Sequence, residues 1–406
     1  MKRVWLAFIM LFMFLPTAVA ADKLEEYTQA AEAEQSAQIN WRLSGLGKLS
    51  GDMILAPNGK LLLPLGNTMV CVDLQGKVLW EAQGSSSGAM GQPVIGENDS
   101  IYAANASSVQ ETKLNGTNAW SFSVYSGAQG TKVPLLASGA DEILYLPLPN
   151  ALYAVNLSGH YMWMLSPWDS SEAYDTKQVT TREFMACAAD KQAFYVVYGE
   201  KKGGYRLAAI SKQGKFLWTY WLGDITRATL LPAEDGRIIV TASFKKSSSG
   251  SMGGNTSGST AGSTKKSAAL KTEKVYSFRI ENGSSPEWQY TLKTTTELSV
   301  PVLYKNKILY LTGGNSLYAL NADNGSIIWE EPLLNLVSPP VVDPQTERIY
   351  AGSSDGDFFA VNQSGRMVWD RTLDGSIDRA PLVGSDGFLY VFTQKGSLYK
   401  IRDTMK

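Results

Sequence analysis

From about residue 39 onward the chain is written in short apolar runs separated by polar turn residues. One stretch shows the pattern: Pro339-Pro340-Val341-Val342, Arg348-Ile349-Tyr350-Ala351-Gly352, Phe358-Phe359-Ala360-Val361 and Arg366-Met367-Val368-Trp369. β-Branched and aromatic residues fill the runs, and pairs such as Asp-Gly and Ser-Gly break them, so each run predicts a short strand and each break a hairpin. The pattern recurs with a period of about forty residues. Trp41, Trp80, Trp120, Trp163, Trp218, Trp288, Trp329 and Trp369 follow one another at 39, 40, 43, 55, 70, 41 and 40 residues. A glycine stands four positions before most of them, at Gly76, Gly116, Gly159, Gly214, Gly325 and Gly365, and Gly283 stands five before Trp288.

Four antiparallel strands per forty-residue unit predict an all-β, eight-bladed β-propeller of four-stranded antiparallel blades. The two ends of the chain predict how the ring closes. After Ser397-Leu398-Tyr399-Lys400-Ile401 only five residues remain, too few for a fourth strand, while Gln38-Ile39-Asn40-Trp41-Arg42-Leu43 is a tryptophan strand with nothing in front of it. Pairing the N-terminal strand with the C-terminal one completes the last blade and hides two sheet edges.

The segment Ile308 to Trp329, with Ser316-Leu317-Tyr318-Ala319-Leu320-Asn321-Ala322-Asp323-Asn324-Gly325 at its centre, resembles the repeat of pyrroloquinoline-quinone-type (PQQ) propellers. That family includes both quinoprotein dehydrogenases and a non-catalytic, BamB-like outer-membrane assembly propeller. The resemblance covers about residues 39–402. It implies that the eight tryptophans are structural ties between neighbouring blades. A catalytic and a non-catalytic member share the same scaffold, so function has to be argued from sites.

Residues 1–21 are expected to be a cleaved signal peptide: Lys2 and Arg3, an apolar core from Val4 to Leu15, then Pro16 and small residues to Ala21. The apolar core is shorter than the roughly twenty residues a membrane-spanning helix needs, so no transmembrane segment is expected after cleavage. No cysteine follows the small residues, which removes a lipoprotein attachment point. The expectation is an exported protein, secreted or in the cell envelope or periplasm. Residues 22–38 form a polar leader, residues 39–402 the propeller, and residues 245–271, rich in Ser, Gly and Lys, a flexible loop.

Charge narrows the partners. With 37 basic against 38 acidic residues, the chain lacks the cationic excess of a nucleic-acid binder. Two cysteines and one histidine give little from which to build a Cys/His metal site. Cys71 and Cys187 both lie in apolar runs, and the spacing leaves a bridge and two separate thiols equally open. No Gly-rich phosphate loop, His-Glu-x-x-His or Gly-x-Ser-x-Gly is present, and His160 sits in an ordinary turn, so no catalytic residue is assigned. No cofactor is expected; PQQ with calcium belongs only to the alternative reading, a quinone-dependent oxidoreductase.

Binding is the remaining class, with an envelope or extracellular protein as partner and a monomer as the expected state. Successive strands alternate direction, so connections from strand B to C and from strand D to the next A emerge on one rim. Both long insertions, 245–271 and the stretch from Pro167 to Arg182, fall in such connections. The same rim is expected to hold Lys132, Arg182, Arg227 and Arg379 just before strands A, with Trp168, Tyr220 and Trp221 in neighbouring connections. Together these seven residues are the candidate binding rim.

Overall fold

The computed structural model describes residues 36–85, 88–96, 98–105, 108–123, 135–139, 142–148, 151–165, 183–200, 203–245 and 271–405. Among them the chain forms eight four-stranded antiparallel sheets. We number these blades in chain order and letter their strands A to D. Strands A of neighbouring blades touch one another, which sets them around the axis of the ring with strands D outermost. Blade 1 consists of Ile54–Leu55, Leu61–Leu65, Thr68–Val72 and Val78–Gln83. Blade 4 consists of Phe184–Ala189, Phe194–Gly199, Tyr205–Ile210 and Phe216–Gly223. Blade 5 consists of Ile225–Pro232, Arg237–Phe244, Lys271–Arg279 and Trp288–Thr294.

Blade 8 is closed by both ends of the chain, as the sequence predicts. Leu382–Val383, Leu389–Thr393 and Ser397–Asp403 supply A, B and C, and Ala37–Leu43 supplies D. The pairing runs antiparallel from Ala37 opposite Asp403 to Leu43 opposite Leu398, so the strand starts one residue before the expected Gln38. Arg42 ties this strand to Asp374, in the connection arriving from blade 7. Residues 1–35, 166–182 and 246–270, which carry the expected signal peptide, most of the leader and both insertions, lie outside the described residues.

Among the described residues the core is divided rather than central. The buried apolar residues fall into eight clusters, and each draws on two neighbouring blades. Tyr102, Tyr145, Tyr195, Tyr310, Tyr350 and Tyr390 of strands B are fully buried in these layers, where rings interdigitate as flat sheets pack face to face.

The repeat tryptophans lock the layers together. Seven of the eight indole N–H groups reach a backbone carbonyl in the C–D turn of the next blade: Trp80 to Leu114 at 3.1 Å, Trp120 to Leu157 at 3.0 Å, Trp218 to Ile280 at 2.7 Å, Trp329 to Gln363 at 2.8 Å. Trp41, Trp163 and Trp288 do the same with Leu74, Lys212 and Ala322. The glycine of the receiving turn lies flat on the indole. A Cβ on Gly116 would stand 2.7 Å from the Trp80 ring, and its φ of +89° is itself costly for any other residue. Trp369 alone of the eight finds no acceptor for its buried Nε1. The blade it faces is blade 8, whose strands C and D are two chain ends with no turn between them.

Hydrogen bonds define two rims. On the upper rim, chain leaving strand D bonds to a B–C turn: Gly84 N to Asn67 O at 2.8 Å, Leu333 N to Asn315 O at 2.8 Å, Leu373 N to Gly356 O at 2.8 Å. On the lower rim, C–D turns bond to A–B turns, as in Ala322 N to Lys307 O at 2.9 Å and Ile280 N to Gly236 O at 3.1 Å.

Candidate functional site

Three of the seven candidate rim residues, Lys132, Trp168 and Arg182, lie outside the described residues. The other four are placed, and three of them differ in detail from the sequence expectation. Arg227 is the third residue of strand A in blade 5 rather than a residue before it, because the pairing with strand B bulges between Ile225 and Arg227. Tyr220 and Trp221 are not in a connection. Strand D of blade 4 runs on to Gly223, with Leu207 opposite Tyr220 and Arg206 opposite Trp221, and only Asp224 separates it from blade 5. Arg379 does precede a strand A, that of blade 8.

Tyr220 is spent on packing. Its ring meets Phe278 edge-on at 4.9 Å and Tyr276 at 6.0 Å, both in blade 5. Trp221, on the opposite face of the same strand, stays 47% exposed. It is braced all the same: the Arg206 guanidinium lies 5.6 Å from its ring centroid, and Glu200 holds Arg206 at 2.8 Å. Gly204 makes the space, since a Cβ there would lie 2.3 Å from the indole edge. An exposed aromatic held in one orientation loses little conformational entropy on binding, which is what suits it to a contact surface.

At the mouth of the axial channel the charges belong to blades 1, 5 and 8. Arg379 lies 3.8 Å from Asp52, and Arg227 lies 3.6 Å from Glu297, which Lys271 also approaches at 3.4 Å. Burial pushes the Asp52 carboxyl above its ordinary value; Arg379, the Ala380 backbone N–H and Arg227 pull it down, and Asp378 adds to the rise. The backbone N–H of Asp52 is capped by Gln92 Oε1 at 2.5 Å, and Gln394 donates to Asp378. Sequence reasoning passed over Asp52, although it stands just before strand A of blade 1 and the rule that selected Arg379 selects it too. Arg206 could not be found that way, because its role depends on the register that puts it opposite Trp221.

Behind the rim, Glu273 at the start of strand C in blade 5 is fully buried. Its Oε2 accepts from Ser243 Oγ at 2.6 Å and from Leu298 N at 3.3 Å, while Oε1 has no partner. Desolvation pushes this carboxyl up, and the two hydrogen bonds only partly offset it.

Cys71 is buried in strand C of blade 1 and Cys187 sits in strand A of blade 4; both are free thiols. Burial pushes them up, to about 11 and about 12. At such values the thiolate is scarce at neutral pH. Among the described residues no group of three or more His, Cys, Asp and Glu is placed to hold a metal ion.

Fold and locks together define a closed eight-bladed propeller of tryptophan-docked, four-stranded repeats. The chain belongs to the family described as outer membrane protein assembly factor BamB, whose model matches residues 28–243 and 206–405. Among solved structures it is similar to BamB from Moraxella catarrhalis, with a TM-score of 0.59 and 12% identity over 90% of this chain and 99% of that one. It is similar also to the Dos1 propeller, with a TM-score of 0.61 and 11% identity over 90% and 95% of the two chains. The computationally designed Ika8 protein matches with a TM-score of 0.60 and 12% identity over 89% and 97%. No curated protein matches the chain. At these identities the structural likenesses show the fold.

Proposed function

We propose that the chain is an exported, non-catalytic propeller that binds an envelope protein through its upper rim and serves the assembly of other envelope proteins. The observation that carries the reading is the BamB family match across both halves of the ring. The rim supplies chemistry consistent with it: Trp221 exposed yet braced, and arginines around the channel mouth that are paired only loosely. The lower rim is built of tight C–D turns whose glycines are committed to the tryptophan locks.

The test is capture from the protein's own envelope extract. Wild type should retain a discrete partner; Trp221→Ala should lose most of it, and Lys215→Ser with Arg366→Ser, both in exposed lower turns, should retain it. Equal loss in the lower-turn variant would place the contact on the other rim. For the assembly role, cells lacking the chain should contain less assembled outer-membrane β-barrel protein, and an unchanged content would overturn it.

A further inference from the structure

The upper-rim connection between strand D of blade 6, Ile327–Pro332, and strand A of blade 7, Val341–Val342, stands apart from its neighbours. It carries the most exposed large apolar side chain among the described residues, Leu334 at 66%, and Val337 at 36%. Neither owes its exposure to a loose backbone. Leu333 N bonds Asn315 O at 2.8 Å and Asn335 N bonds Asn315 Oδ1 at 3.0 Å, both to the B–C turn of blade 6. On the other side Ser354 N bonds Asn335 O at 2.9 Å, Val337 N bonds Gly352 O at 3.1 Å and Asn335 Nδ2 bonds Asp355 Oδ2 at 2.6 Å, all in blade 7. Leu333 and Leu336 are buried beneath. The segment is thus a ledge pinned between two blades, with Leu334 and Val337 standing out of it. The next connection round the ring is built alike, from buried Leu373, bonded to Gly356 O, to buried Ile377. Between those two it places Asp374, Gly375 and Ser376, with no apolar side chain. An apolar pair held in water by a fixed backbone gains from being covered and loses little freedom in the event.

Charge selects what covers it. Glu330, exposed and accepting from Ser316 Oγ at 2.7 Å, flanks the ledge on the side of blade 6. Asp355 and Asp357 flank it in the B–C turn of blade 7. From Ile308 to Gly365 the chain has a single basic residue, Arg348, and that one is paired with Asp403. Arg371 lies on the outer strand of blade 7, and Lys395 lies along Gly375 of the next connection. Resting on the reading that the upper rim is the binding face, we propose that Leu334 and Val337 form a docking ledge for a protein segment that sets basic side chains beside apolar ones. The partner's apolar side chains cover Leu334 and Val337 and supply the holding contact. Its lysines or arginines meet Asp355, Asp357 and Glu330 at the edge of that contact, where solvent-screened attraction governs encounter and the choice of partner more than the hold. The ledge belongs to blades 6 and 7, a different sector of the rim from Trp221 in blade 4.

Isothermal titration of the full chain with three synthetic peptides tests this: Lys-Leu-Lys-Val-Lys-Leu, Glu-Leu-Glu-Val-Glu-Leu and Lys-Ser-Lys-Ser-Lys-Ser. Only the basic-apolar peptide is expected to bind. L334S should weaken it by about tenfold, the loss of one covered leucine. D355N combined with D357N should weaken it severalfold and flatten its dependence on salt. M162S, which removes a comparably exposed side chain from blade 3, should bind like wild type. Unchanged melting midpoints show that the variants fold; if the double variant loosens the turn, the salt dependence of wild type reads the same attraction. The ledge is overturned if the basic-apolar peptide does not bind, if either other peptide binds as tightly, if L334S binds like wild type, or if M162S weakens binding as much. Self-association of the pure protein that L334S abolishes would give the ledge to a second copy and overturn the proposal too. Envelope capture that depends on Trp221, with no peptide binding, would end this inference and leave the rim reading standing; peptide binding that depends on Leu334, with capture lost in the lower-turn variant, would do the reverse.

Discussion

Trp329 and Trp369 hold the same position in consecutive blades, yet only Trp329 donates across the interface, at 2.8 Å to Gln363 O. Trp369 is the more deeply buried of the two, so on packing alone shortening it to phenylalanine should cost at least as much as shortening Trp329, and a larger loss at Trp329 reports the hydrogen bond. Trp329→Phe should destabilise by about 1 kcal/mol more than Trp369→Phe, because the first leaves a carbonyl unpaired while the second removes a donor that was already unpaired. Urea unfolding of the two variants measures the gap, and equal losses would show that the indole bond carries no net stability. Glu273 offers a second measurement at this scale. Its folded value lies above the unfolded one, so below about pH 4 both states are protonated and the residue makes no difference. As pH rises, the unfolded chain releases its proton first, and stability falls until the folded value is passed. Glu273→Gln should therefore gain on wild type in thermal melting as pH rises above about 4. A gap that does not change with pH would mean that Glu273 is ionised in the fold.

The element most fully written in the sequence is the C–D turn, and even there the sequence shows only which residues co-occur. The glycine four places before a tryptophan looks like part of that tryptophan's own hairpin. In space Gly116 covers Trp80 of the preceding blade, and Gly365 covers Trp329. Gly116→Ala should cost several kcal/mol, the sum of about 1 kcal/mol for the left-handed backbone and a clash with an immobile ring. Gly387→Ala, at φ +74° with nothing within 4 Å of the new Cβ, should cost only the backbone part. Comparable losses in thermal unfolding would show that the indole yields. The same limit explains the misplaced rim residues. Nothing in Phe216 to Leu222 marks the end of a strand, since no Gly, Pro or Asn interrupts it before Gly223, and the turn chemistry that located the hairpins is silent there. Arg227 shifted inward through a bulge, which has no sequence signature of its own. Strand count and blade count follow from periodicity; which face a rim residue presents depends on register, and register is a tertiary property.

At the scale of the molecule, stability is distributed around a ring of eight interblade cores, so each blade is held by two neighbours and the ring is only as closed as its seam. The seam runs through blade 8, where the locks differ from those elsewhere. Trp41 and Lys400 both bond the carbonyl of Leu74 in blade 1, at 3.1 and 2.8 Å. Lys400 also pairs with Asp386 at 2.7 Å and lies over the Phe388 ring at 4.2 Å. On the other side Asp403 takes Arg348 and Tyr350 Oη from blade 7. The Asp403 contacts tie blade 7 to blade 8 where the C–D turn is missing, and the strand Ala37–Leu43 is the part that brings Trp41 to its ordinary lock in blade 1 and Arg42 to Asp374. Deleting Ala37–Leu43 removes the Trp41 lock and the Arg42 tie to Asp374, exposes the edge of strand C, and uncovers apolar surface on Ile39 and Trp41 partners in both adjoining cores. The loss should be several kcal/mol, the scale of exposing several buried apolar side chains. Because an opened ring lets blades 8 and 1 separate first, the melting transition should also broaden, with protection from hydrogen exchange lost earliest in blades 8 and 1. A deletion variant with the wild-type midpoint and uniform protection would show that the ring holds without its seam.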